Sequence, residues 1–294
     1  MSTPEDRPAR LRVGVVGAGR VGAVLGAALQ RAGHRVVAVS GVSEASRTRA
    51  ATLLPGVPVR PVEEVVAQAE LLLLTVPDDD LAALVSGLTA TRSWQAGQIV
   101  VHTSGSHGIG VFDAALTQHI LGLALHPVMT FTGTEVDLQR LAGACFGVTS
   151  PEPLRLGAEA LVIEMGAEPV WIEEWDRAKY HAALAFGANN LVTLVAQSAD
   201  LLRDVGVDEP MRLLGPLLGA ALDNALRRGD AALTGPVARG DAGTVRAHLS
   251  VLSAPHVRTA YVAMSRLTAD RALAAGLLAA EDAESLLDVL AAEG

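Results

Sequence analysis

The stretch LRVGVVGAGRVG, residues 11–22, decides how the rest of the chain is interpreted. It begins with a short apolar run typical of a buried β-strand and ends in GAGRVG, which has the GxGxxG spacing. An apolar helix pattern follows at 21–32, and a second apolar run follows at 35–40. Strand, glycine-rich turn, helix and strand in this order are the context in which the motif binds the pyrophosphate of a dinucleotide. The alternative is a chance cluster of glycines at a strand–helix turn.

The three glycines have separate roles in such a motif. Gly17 makes the tight turn, Gly19 lets the backbone approach the pyrophosphate, and Gly22 lets the helix pack closely on the sheet. The N-terminus of the helix offers free N–H groups and a positive potential to the phosphates. The cofactor contacts predicted here are Gly17, Ala18, Gly19, Arg20, Val21 and Gly22.

The end of the second strand bears on the choice of cofactor. Sites for NAD usually carry Asp or Glu there, about twenty residues after the glycines, whereas this chain has Ser40 followed by GVSEASRTR. The side chains suited to a 2′-phosphate are Ser40, Ser43, Arg47 and Arg49. NADP is therefore predicted in preference to NAD. The alternative is that the arginines only solvate a surface helix.

Further apolar runs predict the fold class. They lie at 71–77, 98–104 and 121–127, and ACFGVTS at 144–150 and EPVWIE at 168–173 flank one more helix pattern. Nearly continuous apolar runs are typical of strands buried on both faces of a parallel sheet. Their alternation with helices predicts a doubly wound, mostly parallel α/β domain of the Rossmann type.

After residue 172 the chain changes character and becomes rich in Ala and Leu at helical spacing. One long helix ending at Gly206 is expected, then a helical segment interrupted at Gly215 and Pro216, then two more helices. The sequence thus predicts a nucleotide-binding domain over residues 1–172 and an all-helical domain over residues 173–294.

Composition excludes several classes of function. Half of the 294 residues are apolar and the formal net charge is −9, without a basic stripe, so neither nucleic acid nor an anionic membrane is an expected partner. No run approaches the roughly 18 apolar residues of a membrane span. The first ten residues are polar, so no secretory leader is expected, and a single cysteine, Cys145, fits a reducing cytoplasm.

Ligands of open parallel sheets bind outside the carboxyl ends of the strands. Val76 and Pro77 follow the third predicted strand, and Thr103 and Ser104 follow the fourth. These four residues are predicted to contact the cofactor, and Ser104 also the substrate. The alternative is that they are ordinary turn residues.

His126, in LALHPVMTFTG, lies at the end of the fifth strand. A histidine near its free pKa suits the exchange of a proton with a substrate oxygen, so His126 is predicted to be catalytic and to contact the substrate. The alternative is a structural histidine in a turn. His102 and His107 are weaker candidates for the same role. No HxH or HExxH spacing links the three histidines, and no metal site is predicted.

Polar residues interrupt the apolar helix pattern RAKYHAALAFGANNL at 177–191. Lys179, His181 and Asn189 are predicted to take part in catalysis, with Asn189 also binding substrate and Lys179 as a proton donor. The alternatives are hydrogen bonds between helices at a dimer interface and a solvated Lys179.

A stiff, charged segment, LTGPVARGD at 233–241, breaks the helical region. Arg239 is predicted to bind a substrate carboxylate, which a guanidinium holds through two parallel hydrogen bonds. Asp241 either orients Arg239 or caps the following helix. The alternative for Arg239 is a salt bridge that pins the loop, and an adhesion function for Arg-Gly-Asp is discarded.

The motifs GVVGAGRVG, TVPDDDL, HTSGS, LHPVMTF, KYHAALAFGANNL and LTGPVARGD together resemble the Rossmann-like proteins with a DUF2520 C-terminal domain, over about residues 11–261. The N-terminal part is also similar to NADP-dependent reductases such as pyrroline-5-carboxylate reductase, ketopantoate reductase and prephenate dehydrogenase. The segment HPVMTFTG is similar to the His-Pro-Met segment of prephenate dehydrogenases, whose histidine lies by the substrate hydroxyl, and this again indicates His126. The Ser/Thr- and Gly-rich C-terminal signature of pyrroline-5-carboxylate reductases is absent.

The resemblance implies a dimeric NADP-binding protein of a family without a settled substrate, in which the helical domain over residues 173–294 serves substrate binding and dimerisation. The leading hypothesis is an NADP-dependent oxidoreductase that moves a hydride between nicotinamide and a small keto or hydroxy substrate bearing a carboxylate. His126 exchanges the proton, Asn189 orients the substrate and Arg239 holds its carboxylate. The alternative is an NADPH-binding sensor or scaffold without turnover.

Overall fold

A computed structural model describes residues 10–292. Within these residues, seven strands form one sheet in the order β2-β1-β3-β4-β5-β6-β7. The strands are β1 Arg12–Val16, β2 Arg35–Ser40, β3 Leu71–Leu74, β4 Ile99–His102, β5 Leu121–Pro127, β6 Cys145–Thr149 and β7 Glu168–Trp171. Strands β1 to β5 are parallel, β6 runs antiparallel to β5, and β7 is parallel to β6. The predicted mostly parallel sheet is confirmed.

Helices cover both faces of this sheet. They are α1 Arg20–Arg31, α2 Glu44–Leu53, α3 Val62–Gln68, α4 Asp78–Ala90, α5 Glu135–Leu141 and α6 Arg155–Glu164. Alternate residues of β3 point to opposite faces, so Leu73 packs in one buried cluster with Leu25 of α1, and Leu72 packs in a second with Val85 of α4. Burial of both faces explains the continuous apolar runs and confirms the doubly wound class.

The rest of the described chain is helical. Its helices are α7 Arg177–Asp204, α8 Pro210–Arg228, α9 Ala242–Val251, α10 Pro255–Ala274 and α11 Ala280–Ala291. Val245 and Leu249 of α9, Val262 of α10 and Leu286 of α11 share a small apolar core. The expected helical C-terminal region is confirmed. None of the helices described between residues 10 and 292 combines the length and the apolarity that crossing a membrane requires.

Helix α8 corrects one expectation, because it runs without interruption through Gly215 and Pro216. Proline removes one backbone hydrogen bond and crowds the preceding turn. The carbonyl oxygen that loses its partner is that of Arg212, and both Arg212 and Pro216 are exposed, so water can hydrogen-bond to it. The sequence signal for a break was real, but an exposed helix accommodates it.

The chain divides into two compact units, Met1–Ala188 and Asn189–Gly294. The last strand ends at Trp171, and the first three turns of α7 belong to the sheet-bearing unit. A domain boundary near residue 172, with separate roles for the two sides, stays a prediction.

Candidate functional site

The carboxyl ends of β1 to β5 meet at one edge of the sheet, because these strands are parallel. The glycine-rich loop follows β1, Ser40 ends β2, and His126 lies near the end of β5. Residues far apart in sequence therefore form one edge of the sheet-bearing unit. This edge is the candidate site.

Two glycines of the loop are required by the protein's own packing. Gly17 has a φ of +94°, and a side chain there would come within 2.8 Å of the carbonyl oxygen of Thr75. A side chain on Gly22 would overlap the Thr75 hydroxyl and the Gly17 carbonyl. These contacts keep the first turn of α1 close to β3.

Gly19 differs, since the protein leaves space around it. A methyl group added to Gly19 would have the carbonyl oxygen of Gly17 as its nearest neighbour, 3.8 Å away. No side chain caps α1, so the N–H groups of Arg20, Val21 and Gly22 lack the acceptors that a preceding turn would supply. Free N–H donors beside open space fit the phosphates of a dinucleotide.

The loop is fixed from both neighbouring strands. The hydroxyl of Thr75 donates to the carbonyl oxygen of Gly17 at 2.6 Å, and Gly17 N–H donates to the Ser40 hydroxyl at 3.3 Å. Ser40 is only 8% exposed, so its side chain supports the loop in this structure. Val76 and Pro77 are the predicted cofactor contacts after β3, and the sequence indicated no separate role for Thr75, which holds the loop.

The other residues proposed for a 2′-phosphate lie on the surface of α2. Ser43 caps the helix by accepting from Ser46 N–H at 3.1 Å, and Arg47 donates to the carbonyl oxygen of Val42 at 2.8 Å. Both are exposed. The side chains of Arg20 and Arg49 both reach Gly133, a residue of the loop after β5.

Asp137 shapes that loop. Its fully buried carboxylate accepts from Thr132 N–H at 2.8 Å, from Gly133 N–H at 2.7 Å and from the Thr132 hydroxyl at 3.0 Å. Burial alone would raise the pKa of Asp137, but these hydrogen bonds hold it below its ordinary value. The carboxylate thus keeps the Gly133 turn against the two arginines.

His126 is paired with a tyrosine that the sequence had not indicated. Its Nδ1 lies 2.8 Å from the hydroxyl oxygen of Tyr180, at the start of α7. Gly147 of β6 is the strand partner of His126, and a side chain on Gly147 would overlap the Tyr180 hydroxyl. Because Gly147 has no side chain, the Tyr180 hydroxyl can pass close to β6 and contact His126.

The pKa of His126 is lowered to about 4, first by burial and then by the positive charges of Arg177 and His181, with Asp78 acting in the opposite direction. The expected pKa near the free value is therefore wrong. His126 is neutral at pH 7, so it acts there as a hydrogen-bond donor or acceptor rather than as an imidazolium.

His102 is a structural residue. It is fully buried, its Nε2 donates to the carbonyl oxygen of Gly108 at 2.9 Å, and its Nδ1 accepts from Ser104 N–H at 3.2 Å. Burial lowers the pKa of His102 to about 4. This neutral side chain holds the loop 104–108 after β4. Between residues 10 and 292, no three His, Cys, Asp or Glu side chains are grouped to hold a metal ion.

Serines and histidines of the 104–108 loop form a polar network. The Ser104 hydroxyl lies 3.1 Å from His107 Nδ1, and the Ser106 hydroxyl donates to Asp78 at 2.8 Å. Burial would raise the pKa of Asp78, but hydrogen bonds from Ser104 and Ser106 keep it low. The predicted contacts at this edge differ in exposure: Ser104 is buried, Thr103 and Val76 are half-buried, and Pro77 is exposed.

Arg177 is the other residue that the sequence patterns did not indicate. It is 1% exposed, and its guanidinium donates to three carbonyl oxygens, those of Ser104 at 2.6 Å, His107 at 2.9 Å and Gly147 at 3.1 Å. Thr149 Oγ1 lies 3.5 Å away. No carboxylate of the described residues lies within hydrogen-bond distance, so the site carries a buried positive charge with neutral partners.

The structure brings some of the predicted residues together around Gly105. A methyl group added to Gly105 would lie 2.5 Å from His181 Cδ2 and 3.0 Å from His126 Nε2, and the two imidazole rings meet edge to face at 5.8 Å. Ser104 lies next to Gly105 in the same loop. Lys179 is exposed on the opposite face of α7 and has no hydrogen bond or ion pair with them in the described chain.

Asn189 and Arg239 belong to the helical unit, and both are exposed. Arg239 forms no ion pair within residues 10–292, so the alternative of a pinning salt bridge is not observed. Asp241 instead caps α9, accepting from Thr244 N–H at 3.0 Å. Substrate binding by Asn189 and Arg239 stays a prediction.

Two family models match the chain. Residues 1–127 match the Rossmann-like domain, and residues 144–268 match a domain of unknown function, DUF2520. The predicted combination of these two domains is confirmed. No curated protein is similar enough to count as a relative.

Solved structures share the fold at low sequence identity. A "putative NADP oxidoreductase" of Bacteroides fragilis has a TM-score of 0.75 at 24% identity, over 89% of this chain and 98% of that chain. For 1-pyrroline-5-carboxylate reductase of Streptococcus pyogenes the TM-score is 0.60 at 14% identity, over 90% and 98%. For Plasmodium falciparum pyrroline carboxylate reductase with NADP bound it is 0.56 at 12%, over 89% and 98%. At these identities the likeness establishes the fold alone.

Stability is expected to depend on pH through the two buried histidines. An unfolded histidine titrates near pH 6.5, whereas His102 and His126 titrate at about 4 in the fold, so the unfolded state binds more protons between these values. The free energy of unfolding should be highest above pH 6.5 and fall toward pH 4, by at most about 1.4 kcal/mol per pH unit for each histidine. Urea denaturation at several pH values measures this, with His126→Asn expected to show a shallower dependence. Equal slopes for the two proteins would contradict the low pKa of His126.

Gly147→Ala should destabilise the fold, because the added methyl group overlaps the Tyr180 hydroxyl. The expected loss is about 1–3 kcal/mol, as for other overpacked sites. Tyr180→Ala removes both the hydroxyl and the ring carbon Cζ, which would lie 2.6 Å from the added methyl group, so the double variant should lose less than the sum of the single losses. Denaturant unfolding of the four proteins gives the coupling, and additive losses would show that Gly147 and Tyr180 do not meet.

Proposed function

We propose that this chain, which combines a Rossmann-like domain with a DUF2520 domain, is an NADP-dependent oxidoreductase. It transfers a hydride between the nicotinamide and a small keto or hydroxy substrate that bears a carboxylate. The observation that carries the proposal is the uncapped N-terminus of α1 with open space at Gly19, on the same sheet edge as the His126–Tyr180 pair. A phosphate cradle and a proton-handling pair are the two parts that such a reaction needs.

The residues present fit the cofactor. Backbone N–H groups of residues 20–22 would hold the pyrophosphate, with Gly17, Ala18 and Gly19 shaping the turn. Arg20, Ser43 and Arg47, with Arg49, would favour the 2′-phosphate of NADP over NAD. Val76, Pro77, Thr103 and Ser104 would lie toward the nicotinamide. When bound, NADPH supplies the hydride.

The chain's own residues handle the oxygen of the substrate. Neutral His126 contacts it and exchanges a proton with it, and His181 packs against the imidazole. The buried charge of Arg177, which lacks a carboxylate partner, favours an anionic substrate or a developing oxyanion at this edge. The same proposal includes three further roles: Asn189 orients the substrate, Arg239 binds its carboxylate and Lys179 donates a proton.

We also propose that the protein is a homodimer. Several large apolar side chains of α7 and α8 are more than half exposed: Phe186, Val192, Met211, Leu213, Leu217 and Leu226. Apolar surface of this extent on two successive helices is typical of an interface. We propose that a second copy of this chain covers this apolar surface, because that requires no other protein. The cytoplasmic location stays a prediction from the single cysteine.

A second candidate, an NADPH-binding protein without turnover, is favoured by one observation. With a pKa of about 4, His126 is a weak base and is seldom protonated at pH 7. A site without a strong acid or base at neutral pH suits a sensor as well as an enzyme.

Turnover separates the two candidates. We expect the purified protein to oxidise NADPH in the presence of at least one member of a panel of 2-keto acids. The reaction is measured as the loss of NADPH absorbance. His126→Ala should abolish this turnover with NADPH affinity intact, and the exposed His119→Asn is the control. Tight binding without turnover across the panel supports the sensor. Absence of NADPH binding contradicts both candidates.

Gly19→Ala tests the cradle without disturbing the fold. Because the protein leaves open space at this position, the variant should keep the melting temperature of the wild type without cofactor. NADPH affinity should fall about tenfold or more, since the methyl group occupies the space meant for the phosphate. Isothermal titration measures the affinity, with Gly87→Ala, also in open space, as the matched control. Unchanged affinity in Gly19→Ala would place the phosphates elsewhere.

A further inference from the structure

We propose that Tyr180 is a positioning residue that holds neutral His126 in the tautomer with its proton on Nε2. The Nε2–H group, which lies beside Gly105, is then the donor to the substrate oxygen. The inference rests on the proposed function for its chemistry, but the tautomer itself is a property of the protein without ligands.

The hydrogen bond between Tyr180 and His126 has a direction. Nδ1 of His126 is the acceptor that lies within hydrogen-bond distance of the Tyr180 hydroxyl, at 2.8 Å. No other acceptor of the described residues forms a hydrogen bond with this hydroxyl. A half-buried phenol needs an acceptor for its proton, so Tyr180 donates and Nδ1 accepts. A neutral imidazole that accepts at Nδ1 carries its proton on Nε2.

The Nε2 atom is left open. A side chain on Gly105 would stand 3.0 Å from His126 Nε2 and would cover it. Nε2 forms no hydrogen bond within the described chain. Every buried side-chain nitrogen or oxygen atom of the described residues has a hydrogen-bond partner, so Nε2 does not belong to the buried atoms. Nε2 is therefore accessible from outside. Gly105 is itself buried, and it carries no side chain that would cover Nε2.

The charges around the pair keep both members neutral. Arg177, Tyr180 and His181 face His126 from α7, and Asp78 faces it from α4. Burial raises the pKa of Tyr180, against the opposing effects of Arg177 and of the Gly147 backbone, so the phenol keeps its proton at neutral pH. The guanidinium of Arg177 lies over the Tyr180 ring, 5.7 Å from its centre, where it polarises the O–H bond toward Nδ1.

This arrangement gives a balanced proton step for reduction of a ketone. The substrate carbon receives the hydride, and its oxygen takes the proton of His126 Nε2. Nδ1 takes the Tyr180 proton as the N–H bond at Nε2 breaks, so the imidazole stays neutral throughout. The phenolate left on Tyr180 is stabilised by Arg177. It takes the proton back from Nδ1 as Nε2 takes one from solvent, which restores the starting tautomer. Oxidation of the alcohol runs through the same steps in reverse.

A second pair in the chain provides a matched control. His248 Nδ1 lies 2.8 Å from the Tyr261 hydroxyl, and the rings meet edge to face at 5.8 Å, nearly as in the first pair. His248 is exposed and belongs to the helical unit. Tyr261→Phe thus removes the same kind of hydrogen bond away from the candidate site.

The test is long-range ¹H–¹⁵N spectroscopy of the full chain labelled at histidine, without cofactor, near neutral pH. His126 is identified by the signal lost in His126→Asn. We expect the Nε2–H tautomer in the wild type, and in Tyr180→Phe a shift of the tautomer ratio toward Nδ1–H of about tenfold, the equivalent of one hydrogen bond. Tyr261→Phe should leave His126 unchanged.

Two outcomes overturn the inference. One is an Nδ1–H tautomer in the wild type, which decides the matter even if Tyr180→Phe fails to fold. The other is an unchanged tautomer in a folded Tyr180→Phe. Because no cofactor or substrate is present, a protein without turnover still reports the tautomer. Failure of the proposed function is therefore distinguishable from failure of this inference.

Discussion

The candidate site depends on the buried guanidinium of Arg177. It joins the loop after β4, strand β6 and the start of α7 by donating to oxygen atoms of Ser104, His107 and Gly147. A buried guanidinium remains charged, so every donor that is left without an acceptor costs free energy. The three segments are thereby held in one arrangement. Tyr180 follows Arg177 by one helical turn, so the same contacts set its hydroxyl against His126.

The same charge sets the chemistry of the site. Arg177 has only neutral hydrogen-bond partners, and its field together with burial keeps His126 unprotonated. A site with a fixed positive charge and neutral proton-handling groups is suited to an anion that forms during reaction. This explains how a histidine with a low pKa fits an oxidoreductase, since the positive charge need not come from the imidazole.

The fold was predictable because its signals are local. The glycine spacing, the continuous apolar runs and the strand ends placed the sheet and brought His126 to its carboxyl edge. Tyr180 and Arg177 were missed because their roles arise only when β6 lies antiparallel to β5 and the start of α7 contacts both strands. One signal did exist: Gly147 interrupts the apolar run ACFGVTS, and a glycine inside a strand indicates a close approach by another group. The pKa of His126 depends on burial and on distant charges, which no spacing reveals.

The central claim is that a phosphate-binding loop and a proton donor lie on one edge of the same unit. A crystal structure of the complex with NADP⁺ tests this claim most directly. We expect the pyrophosphate at the N-terminus of α1 and the nicotinamide near Gly105, on the side of His126 Nε2. A pyrophosphate in that position with the nicotinamide turned away from His126 would contradict the assigned chemistry. A pyrophosphate bound anywhere else would contradict the site itself.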